Sequence, residues 1–367
     1  MIDEQYMARA LKLAERGCFS TTPNPNVGCV IVRDGNIVGE GWHQKTGEDH
    51  AEIHALNASG NKAKGSTVYV TLEPCNHHGL TPPCCDALIE ARVNRVVIAA
   101  QDPNPKVSGK SFYLLKKAGI KVSHGLMMNE SKRINRGFFK RMCTGLPWLK
   151  LKLGSSLDGR IAMNNGQSRW ITSKSARHDV QYYRAQSSAI ISTSATILAD
   201  DPLLTVRWSE LKKENKFISN KESLRQPIRV IMDRKNKVTP QHQIITQPGE
   251  TWLIRQNYDD NIWPDNVIQM ILPGGCQKKN LFQMLLLLGK YQINDVLVEA
   301  GATFSGALIE ANLVDELIIY VAPKILGHDS ICLCKLPGIN NLNSVPNFSF
   351  SDIRKVGSNI RLTLIPK

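Results

Sequence analysis

His50-Ala51-Glu52 is followed along the chain by two cysteines that each come directly after a proline, Pro74-Cys75 and Pro83-Cys84. Ile53, Leu56 and the small residues between them favour a helix that opens near Asp49–Glu52, with His50 and Glu52 in its first turn. A second helical pattern, 86–91, follows Cys84. The apolar run 67–72 is typical of a buried strand and ends just before Glu73-Pro74-Cys75. These stretches therefore predict one strand end and two helix N-termini that present His50, Glu52, Cys75 and Cys84.

These residue types suit a zinc site that activates water. An imidazole and two thiolates can hold Zn²⁺ while its remaining position carries water, whose pKa falls to roughly 7 on the metal. Helix N-termini favour thiolate and hydroxide over their neutral forms. Glu52, two residues from His50, can take a proton from that water and pass it on. The pattern indicates hydrolytic deamination of an aminated heterocycle, as in zinc deaminases.

The choice of ligands leaves alternatives open. Zinc deaminases commonly space their cysteines as Cys-x-x-Cys, whereas eight residues separate Cys75 from Cys84 here. Nearby donors are His54, His77, His78 and Cys85. The apolar residues at 88 and 89 place Cys85 on the core side of its helix, and His54 suits a core or supporting position. A fourth protein ligand at His77, His78 or Cys85 would instead indicate a closed, structural zinc site.

Length and composition bound the class of protein. At 367 residues the chain is expected to form two domains. Its nine cysteines cannot all pair, and no charged-then-apolar leader precedes the first helical pattern, so a cytoplasmic location with free thiols is expected. The longest apolar run, 284–288, is too short to span a bilayer, and no membrane association is expected. The net charge of +14 invites a nucleic-acid interpretation, but the basic residues are scattered and no nucleic-acid partner is expected.

The first half alternates strands and helices. A helix is predicted over 1–20, a hairpin over Cys29–Val32 and Ile37–Gly41 around Asp34-Gly35, and a helix over Ser111–Ala118 capped by Gly119. Strands are predicted at 67–72, 95–100 and 120–122. This order indicates a three-layer α/β domain. Gly145-Leu146-Pro147 breaks the pattern, which places the domains at 1–146 and 147–367.

The second half is predicted to be another α/β domain. Strands are predicted at 148–153, 189–193, 228–232, 251–254, 267–272, 295–298 and 316–321, and helices at 173–186, 280–288 and 303–311. The stretch 209–226 is polar and of mixed charge, which indicates a solvated excursion. Val298–Gly301 ends a strand and Thr303–Gly306 opens a helix, which suits either a bound phosphate or a simple tight turn. Lys152 in an apolar strand suits either a functional role or an internal ion pair.

Several longer motifs make the chain resemble the bifunctional riboflavin-biosynthesis deaminase/reductase family, from about Tyr6 to the last strand. In the first half they are 22–30 (TPNPNVGCV), 47–52 (GEDHAE), 71–75 (TLEPC), 81–85 (TPPCC) and 101–105 (QDPNP). In the second half they are 156–160 (SLDGR), 199–202 (ADDP) and 298–301 (VEAG). The motifs after position 146 distinguish this family from single-domain deaminases, and the eight-residue gap between the cysteines is a family feature.

The resemblance implies a cytidine-deaminase-like first domain and a dihydrofolate-reductase-like second domain, both α/β. The first, with one Zn²⁺, would release ammonia from 2,5-diamino-6-ribosylamino-4(3H)-pyrimidinone 5′-phosphate. The second, with NADPH, would reduce the ribosyl group of 5-amino-6-(5-phosphoribosylamino)uracil to ribityl. The partners would be this phosphorylated pyrimidine, NADPH and further copies of the chain in a homo-oligomer.

The resemblance also assigns residues, by their numbers in this chain. The metal ligands would be His50, Cys75 and Cys84, and the catalytic residues Glu52, Lys152 and Asp200. Substrate would be held by Asn24, His43, Lys152, Ser168, Arg184, Leu204, Arg207 and Glu299. NADPH would be held by Gly154, Trp170, Thr196, Asp200, Arg234, Gly301, Ala302, Thr303, Phe304, Ser305, Gly306 and Ala307.

Two positions depart from the family pattern. Leu80 stands where relatives carry Lys or Arg, so another cation would have to bind the substrate phosphate, or that phosphate would be bound more weakly. Arg234 replaces a smaller residue and could either grip the 2′-phosphate of NADPH or point outward; the first is favoured here. The competing hypothesis is a tRNA base deaminase whose C-terminal half positions RNA, which the charge favours and the absence of an RNA-binding motif disfavours.

Overall fold

The computed structural model describes residues 2–77, 79, 82–105, 107–211, 224–272, 274 and 276–367. The chain divides into two compact units between Gly145 and Leu146. None of the helices described in these ranges has the length and apolar character needed to cross a bilayer.

The N-terminal unit is built on a five-stranded sheet. Its elements are α1 (Ile2–Ala14), β1 (Gly28–Arg33), β2 (Asn36–Trp42), α2 (Ala51–Ser59), β3 (Thr67–Leu72), α3 (Cys84–Glu90), β4 (Arg95–Ala100), α4 (Lys110–Lys117), β5 (Lys121–His124), α5 (Met128–Ile134) and α6 (Arg136–Thr144). The strand order is β2-β1-β3-β4-β5. Strand β1 runs antiparallel to β2 and β3, whereas β3, β4 and β5 are parallel.

Both faces of this sheet are buried, because its strands carry apolar residues at successive positions. Ile31, Val70 and Ile98 pack on one face with residues of α2, α3 and α4. Their neighbours Val30 and Tyr69 pack on the other face with α1. Since successive strand residues point to opposite faces, such runs require a layer of helices on each side. This is the three-layer α/β arrangement predicted from the sequence.

The turns follow the local sequence. Asp34 and Gly35 have φ values of 51° and 74°, so the β1–β2 hairpin has the two left-handed residues that the Asp-Gly pair predicts. Helix α4 ends at Lys117 and is followed by Gly119 at φ 82°, as the glycine indicated.

The C-terminal unit contains a nine-stranded mixed sheet. Its elements are β6 (Trp148–Ser156), β7 (Arg160–Ala162), α7 (Lys174–Gln186), β8 (Ala189–Thr193), α8 (Ser194–Asp200), β9 (Ile228–Met232), α9 (Gln243–Thr246), β10 (Thr251–Arg255), β11 (Val267–Ile271), α10 (Gln277–Lys290), β12 (Asp295–Val298), α11 (Ala302–Glu310), β13 (Glu316–Ala322), β14 (Ile331–Cys332), β15 (Phe348–Val356) and β16 (Asn359–Pro366). The strand order is β11-β10-β9-β8-β12-β6-β13-β16-β15, and β7 pairs separately with β14. The strands from β11 to β13 are parallel, and β16 is antiparallel to both of its neighbours.

The alternation in β6 places leucines and lysines on opposite faces. Leu149 and Leu151 are fully buried in the main core of this unit with residues of α10 and α11. Lys150 is nearly as buried, and its Nζ lies 3.3 Å from an Asp295 carboxylate oxygen. Lys150 is therefore in an internal ion pair, and Lys152 lies two residues further along the same face, at the sheet edge that carries the second site.

Several elements differ from the sequence-based expectation. The first helix ends at Ala14, and α2 begins at Ala51, so His50 caps this helix instead of lying in its first turn. Helices α5 and α6 and the hairpin β15–β16 were not predicted. Residues 360–364 of β16 do alternate between apolar and polar, a strand signal that the prediction did not include, whereas β15 contains no buried residue. Most of the expected excursion at 209–226 falls on 212–223, outside the described residues.

Gly28 fixes the distance between α1 and the sheet and provides a test of this packing. A Cβ at this position would lie 2.0 Å from the carbonyl oxygen of Ala10 and 2.7 Å from the amide nitrogen of Ala14. We predict that Gly28→Ala destabilises this packing by about 1–3 kcal/mol, as overpacking does. Hydrogen-exchange mass spectrometry of the full chain should then show amides of α1 and β1 exchanging about tenfold faster or more.

Gly79→Ala is the matched control, because its added methyl group would meet nothing within 4 Å. Equal exchange rates in α1 for the wild type and Gly28→Ala would contradict this account of the packing.

Candidate functional sites in the two units

The N-terminal unit brings three potential metal ligands together. His50 caps α2, Cys75 follows β3, and Cys84 is the first residue of α3. The Nδ1 atom of His50 lies 3.3 Å from the Sγ of Cys84 and 3.5 Å from the Sγ of Cys75. The three donor atoms lie within 4.8 Å of one another. One imidazole and two sulfurs at this spacing match the donor set that zinc prefers.

A buried carboxylate holds the segment that leads into Cys75. Glu73 is 3% exposed and accepts hydrogen bonds from the backbone N–H groups of Asp102, Gly109 and Ser111, at 3.2, 3.0 and 3.2 Å. The Ser111 hydroxyl also donates to the carbonyl of Pro74. Sequence reasoning gave Glu73 no role, although a carboxylate between a buried strand and a Pro-Cys pair could have suggested an anchor. Glu73 therefore fixes the backbone from which Cys75 projects.

The two sulfurs of the cluster are electrostatically distinct. The hydrogen bond from the Cys84 thiol, with a further contribution from His50, lowers the pKa of Cys75 to about 4. The backbone N–H of Cys84 also donates to the Cys75 sulfur at 3.2 Å. The shared proton and burial raise the pKa of Cys84 well above its usual value. At least one sulfur is therefore a thiolate at neutral pH, the form that binds metals.

Glu52 lies beside the cluster without being part of it. It is the second residue of α2, is 3% exposed and interacts with the side chain of Cys84. Burial raises the pKa of Glu52 to about 7. A carboxyl group with this pKa can both accept and release a proton near neutral pH.

The other potential ligands lie elsewhere. Cys85 is fully buried, packs in the core with α2 and α4, and directs its sulfur toward the carbonyl of Pro74. His77 is exposed, and His54 is half-buried with no hydrogen-bond partner for its Nε2 among the described residues. His78 and Leu80 lie outside the described residues. Within the part of the chain that the structure describes, no fourth ligand joins the three.

Asn24 and His43 lie next to the cluster. The Nδ2 of Asn24 is 3.1 Å from the Nε2 of His43, whose Nδ1 is 3.1 Å from the carbonyl oxygen of Asp49. Because a carbonyl only accepts, Nδ1 carries the proton and Nε2 accepts from Asn24. The ring of His43 packs edge-on against that of His50, with centroids 5.2 Å apart. Burial lowers the pKa of His43, which keeps this ring neutral.

The C-terminal unit has a cleft of about 1310 Å³ at the carboxyl ends of its parallel strands. Strand β6 contributes residues 152–154, β8 is followed by 193–196, and β12 is followed by 299–304. Most of the residues expected to bind substrate or cofactor line this cleft: Lys152, Gly154, Ser168, Trp170, Arg184, Thr196, Asp200, Leu204, Arg207, Arg234, Glu299, Gly301, Ala302, Thr303 and Phe304.

Three of the expected cofactor residues do not line the cleft. Ser305, Gly306 and Ala307 are buried within α11. The Ser305 hydroxyl donates to the carbonyl of Ala300, and a Cβ at Gly306 would lie 1.8 Å from the carbonyl oxygen of Lys335. Ser305, Gly306 and Ala307 therefore pack inside the protein and support the first turn of α11. Of the expected run 301–307, only residues 301–304 line the cleft.

One carboxylate joins two cations in the cleft. Glu299 accepts from Arg184 at 2.6 and 3.1 Å, and its carboxylate lies 3.9 Å from the Nζ of Lys152. Burial alone would raise the pKa of Glu299, but the charges of Arg184 and Lys152 outweigh it and bring this pKa to about 2. Burial lowers the pKa of Lys152. Glu299 is therefore ionised at neutral pH, and Lys152 releases its proton more readily than an exposed lysine.

The other wall of the cleft carries an aromatic ring between cations. Trp170 is 60% exposed, and the guanidinium of Arg177 lies 4.1 Å from the centroid of its ring. Arg177 was not predicted from the sequence, since nothing there pairs it with Trp170. Asp200 ends α8, and its carbonyl accepts from Arg169, the residue before Trp170, at 2.5 Å.

Two models of known families cover most of the chain. The cytidine and deoxycytidylate deaminase zinc-binding region matches residues 1–100, and the RibD C-terminal domain matches residues 147–362. The chain is 59% identical over 365 residues to the riboflavin biosynthesis protein RibD of Escherichia coli, with complete coverage of both chains. It is 64% identical over 147 residues to a diaminohydroxyphosphoribosylamino-pyrimidine deaminase of Buchnera aphidicola, which covers 40% of this chain and all of that protein.

A solved structure extends the match to the whole fold. The diaminohydroxyphosphoribosylaminopyrimidine deaminase/5-amino-6-(5-phosphoribosylamino)uracil reductase of Thermotoga maritima superposes with a TM-score of 0.87 at 31% identity and covers 100% of this chain and 99% of that one. The predicted two-domain α/β fold is confirmed, with a cytidine-deaminase-like domain and a RibD reductase domain. The hypothesis of a tRNA deaminase is not favoured, because the C-terminal half matches this reductase. The chain belongs to the RibD family and is a bifunctional enzyme of riboflavin biosynthesis, a deaminase and a reductase in one polypeptide.

Proposed function

We propose that residues 1–146 deaminate 2,5-diamino-6-ribosylamino-4(3H)-pyrimidinone 5′-phosphate and that residues 147–367 use NADPH to reduce the ribosyl group of 5-amino-6-(5-phosphoribosylamino)uracil to ribityl. The observation that carries the first step is the cluster of His50, Cys75 and Cys84 beside the buried carboxyl group of Glu52. The substrates are those named for the Thermotoga maritima protein.

In the deaminase domain, His50, Cys75 and Cys84 would hold one Zn²⁺. Bound there, the metal would supply a water of lowered pKa at the open position of a three-ligand site. Glu52, buried beside the cluster, would take up protons released by the attacking water and deliver them to the ring nitrogen and to the departing amino group, which leaves as ammonia. His43 and Asn24 contact the pyrimidine, and the bond of His43 to Asp49 fixes which of its nitrogens faces that ring.

In the reductase domain, NADPH when bound would supply a hydride to C1′ of the ribosyl group. The bond between C1′ and the ring oxygen breaks, and that oxygen needs a proton to become the hydroxyl of the ribityl chain. Lys152 is the proposed donor of this proton, because burial lowers its pKa. Its Nζ lies 3.9 Å from the carboxylate of Glu299, which Arg184 in turn holds. Asp200 is the second side chain that we propose to act next to C1′, the carbon that is reduced. Ser168, Leu204 and Arg207 complete the substrate wall.

NADPH would bind along the remaining wall of the cleft. Gly154, Trp170, Thr196, Asp200, Arg234 and the residues 301–304 line it, and 305–307 support it from within α11. Gly301 precedes the first turn of α11, whose free N–H groups and positive dipole end suit a pyrophosphate.

We also propose that the chain forms a homo-oligomer through the last strands of the C-terminal sheet. Phe350 and Ile353 of β15 and Ile360 of β16 are 62%, 61% and 48% exposed. Large apolar side chains grouped on an edge hairpin are typical of surfaces that pair with another protein. Sedimentation of the purified chain measures the assembly, and a monomer at micromolar concentration would contradict it.

We predict that the purified chain contains one Zn²⁺ per deaminase domain and that Cys84→Ser loses most of it during dialysis against a chelator. The reason is that a hydroxyl is a poor substitute for a thiolate on zinc. Metal analysis by mass spectrometry measures this. Cys85→Ser is the matched control, because the sulfur of Cys85 faces the core. If Cys85→Ser lost zinc and Cys84→Ser kept it, Cys85 and not Cys84 would be the ligand.

We predict that Glu52→Gln retains zinc but slows ammonia release by roughly 10²-fold or more, because general acid–base catalysis contributes that much. Glu90→Gln makes the same change at an exposed position of α3 and should leave the rate unchanged. Near-normal ammonia release by Glu52→Gln would exclude the proposed role of this residue.

We predict that Asp200→Asn slows NADPH oxidation by roughly 10²-fold while ammonia release persists. Supplying the diaminopyrimidinone phosphate with and without NADPH, and following ammonia and nicotinamide absorbance together, measures both steps. Asp265→Asn at an exposed position of the same domain is the control. Parallel loss of both activities in Asp200→Asn would contradict independent sites.

A further inference from the structure

Two adjacent aspartates line the reductase cleft, and only the first of them takes part in the proposed reduction. Asp200 is the last residue of α8, and Asp201 follows it within the motif 199–202. In the part of the chain that the structure describes, the Asp200 carboxylate makes no hydrogen bond or ion pair, so it can meet a ligand. Both oxygens of Asp201 have partners instead: Oδ1 accepts from the backbone N–H of Gln243 at 2.9 Å, and Oδ2 accepts from its side-chain amide at 3.1 Å.

Helix α9, which begins at Gln243, is fixed in the core of this unit. Ile244 and Ile245 of this helix are fully buried. They share an apolar cluster with Ile197 of α8 and with Leu204. Because buried apolar contacts of this kind are the main force that holds an element in place, α9 is a fixed point of the fold. The bonds to Gln243 therefore tie the end of α8 to that fixed point.

The backbone turns sharply where α8 ends. Asp201, at φ 41° and ψ 55°, and Leu204, at φ 48°, are both in the left-handed region, which costs most L residues roughly 1–2 kcal/mol. Pro202 lies between them and has no N–H group with which to hold the turn. The polar attachment of the segment 200–204 to α9 is provided by the side chain of Asp201.

The other end of this loop is held by a different element. The carbonyl of Thr205 accepts from Arg184 at 2.9 Å, and the backbone N–H of Arg207 donates to the side chain of Gln181 at 3.0 Å. Both partners lie on α7. A change at Asp201 should therefore move the end of the loop next to α8 and leave the end at Arg207 in place.

We propose that Asp201 is a positioning residue of the reductase domain, whose bonds to Gln243 hold Asp200 next to the carbon that is reduced. This inference rests on the proposed reduction and adds the residue that orients one of its two catalytic side chains. Asp201 acts through geometry, because both of its oxygens already accept hydrogen bonds from α9. A displacement of about 1 Å at a reacting group can cost roughly 10²-fold in rate, so the loss of this attachment should be measurable.

The test compares replacements of Asp201 in the full chain, supplied with the diaminopyrimidinone phosphate and NADPH. Asp201→Ala and Asp201→Gly both remove the attachment, and glycine adopts the left-handed backbone without steric cost. Both should lower kcat for NADPH oxidation about tenfold or more and leave KM for NADPH within about threefold, because residues 301–304 of the cleft are unchanged. A near-normal kcat in Asp201→Gly would overturn the proposal, because the backbone conformation alone would then be sufficient.

Asp201→Asn separates positioning from a direct role of the charge. Its amide oxygen can still accept from the backbone N–H of Gln243, and its NH₂ group can donate to the side-chain oxygen of Gln243 after that amide turns over. Asparagine also adopts the left-handed conformation readily. This variant should keep about a third or more of the wild-type kcat. A kcat as low as that of Asp201→Ala would overturn the proposal, because the negative charge would then be what the reaction requires.

Gln243→Ala tests the partner of Asp201. It removes one of the two bonds and leaves the backbone N–H, so it should lower kcat by less than Asp201→Ala does. Combined with Asp201→Ala, it should lower kcat no further, because both changes remove the same interaction. Effects that multiply in the double variant would overturn the coupling. Asp260→Ala, at an exposed position of the same domain, is the matched control and should change neither kcat nor KM.

Two further measurements on the same variants show that the chain is folded. Ammonia release reports the deaminase domain and should stay within about twofold of the wild type, and NADPH binding, followed by nucleotide fluorescence, should stay within about threefold. Loss of NADPH binding in parallel with kcat would indicate only a structural role and overturn the proposal. Alanine and glycine variants that match an active wild type overturn the role of Asp201 and leave the proposed function intact. A wild type that does not oxidise NADPH in the presence of substrate would instead overturn the proposed function.

Discussion

Both units depend on the constraint that parallel strands buried on both faces can carry polar chemistry only where they end. Strand β3 is apolar along most of its length, and Cys75, the half-buried residue that could bind a metal, comes only after the strand, beyond Glu73 and Pro74. In the second unit, β8 ends at Thr193, and Glu299 directly follows β12. Because parallel strands end at the same edge of the sheet, both residues line one cleft. The sites of this enzyme therefore follow from sheet topology before any individual side chain is considered.

The two sites use buried carboxylates for different purposes. Glu73 and Asp233 accept backbone N–H groups and fix the loops that carry functional side chains. Glu299 instead pairs with two cations and faces the cleft. In each case the carboxylate is stable only because every oxygen has donors, since an unpaired buried charge is costly. Of these three buried carboxylates that directly follow a strand, two anchor loops and one faces a cleft.

How much the sequence could predict depended on how local the signal was. Strands such as 67–72, 189–193 and 295–298 were predicted to the residue, because an apolar run bounded by polar residues is a local pattern. The three sulfur and nitrogen ligands were predicted from their motif, and the structure groups them. The hairpin β15–β16 was not predicted: residues 360–364 of β16 alternate between apolar and polar, but its partner β15 contains no buried residue and gives a weaker signal. The contact of Arg177 with Trp170 and the anchoring by Glu73 were not predicted either. Each joins residues whose separation in the sequence matches no known motif or helical or strand period. Ser305, Gly306 and Ala307 were carried over as a continuous run, although a helix turns them away from the wall that its first residues form.

The bonds of Glu73 have a consequence for how the deaminase pocket can vary among relatives. The Glu73 carboxylate accepts from three backbone amides of the segment 102–111, and Cys75, the proposed metal ligand, lies two residues after Glu73. An insertion or deletion in that segment would shift those amides and, with them, the carboxylate of Glu73. The displacement would reach the sulfur of Cys75, which is only two peptide units further along the chain. Divergence of substrate range in this enzyme family should therefore proceed by side-chain replacement on a segment of constant length, with length changes confined to loops that this carboxylate does not reach.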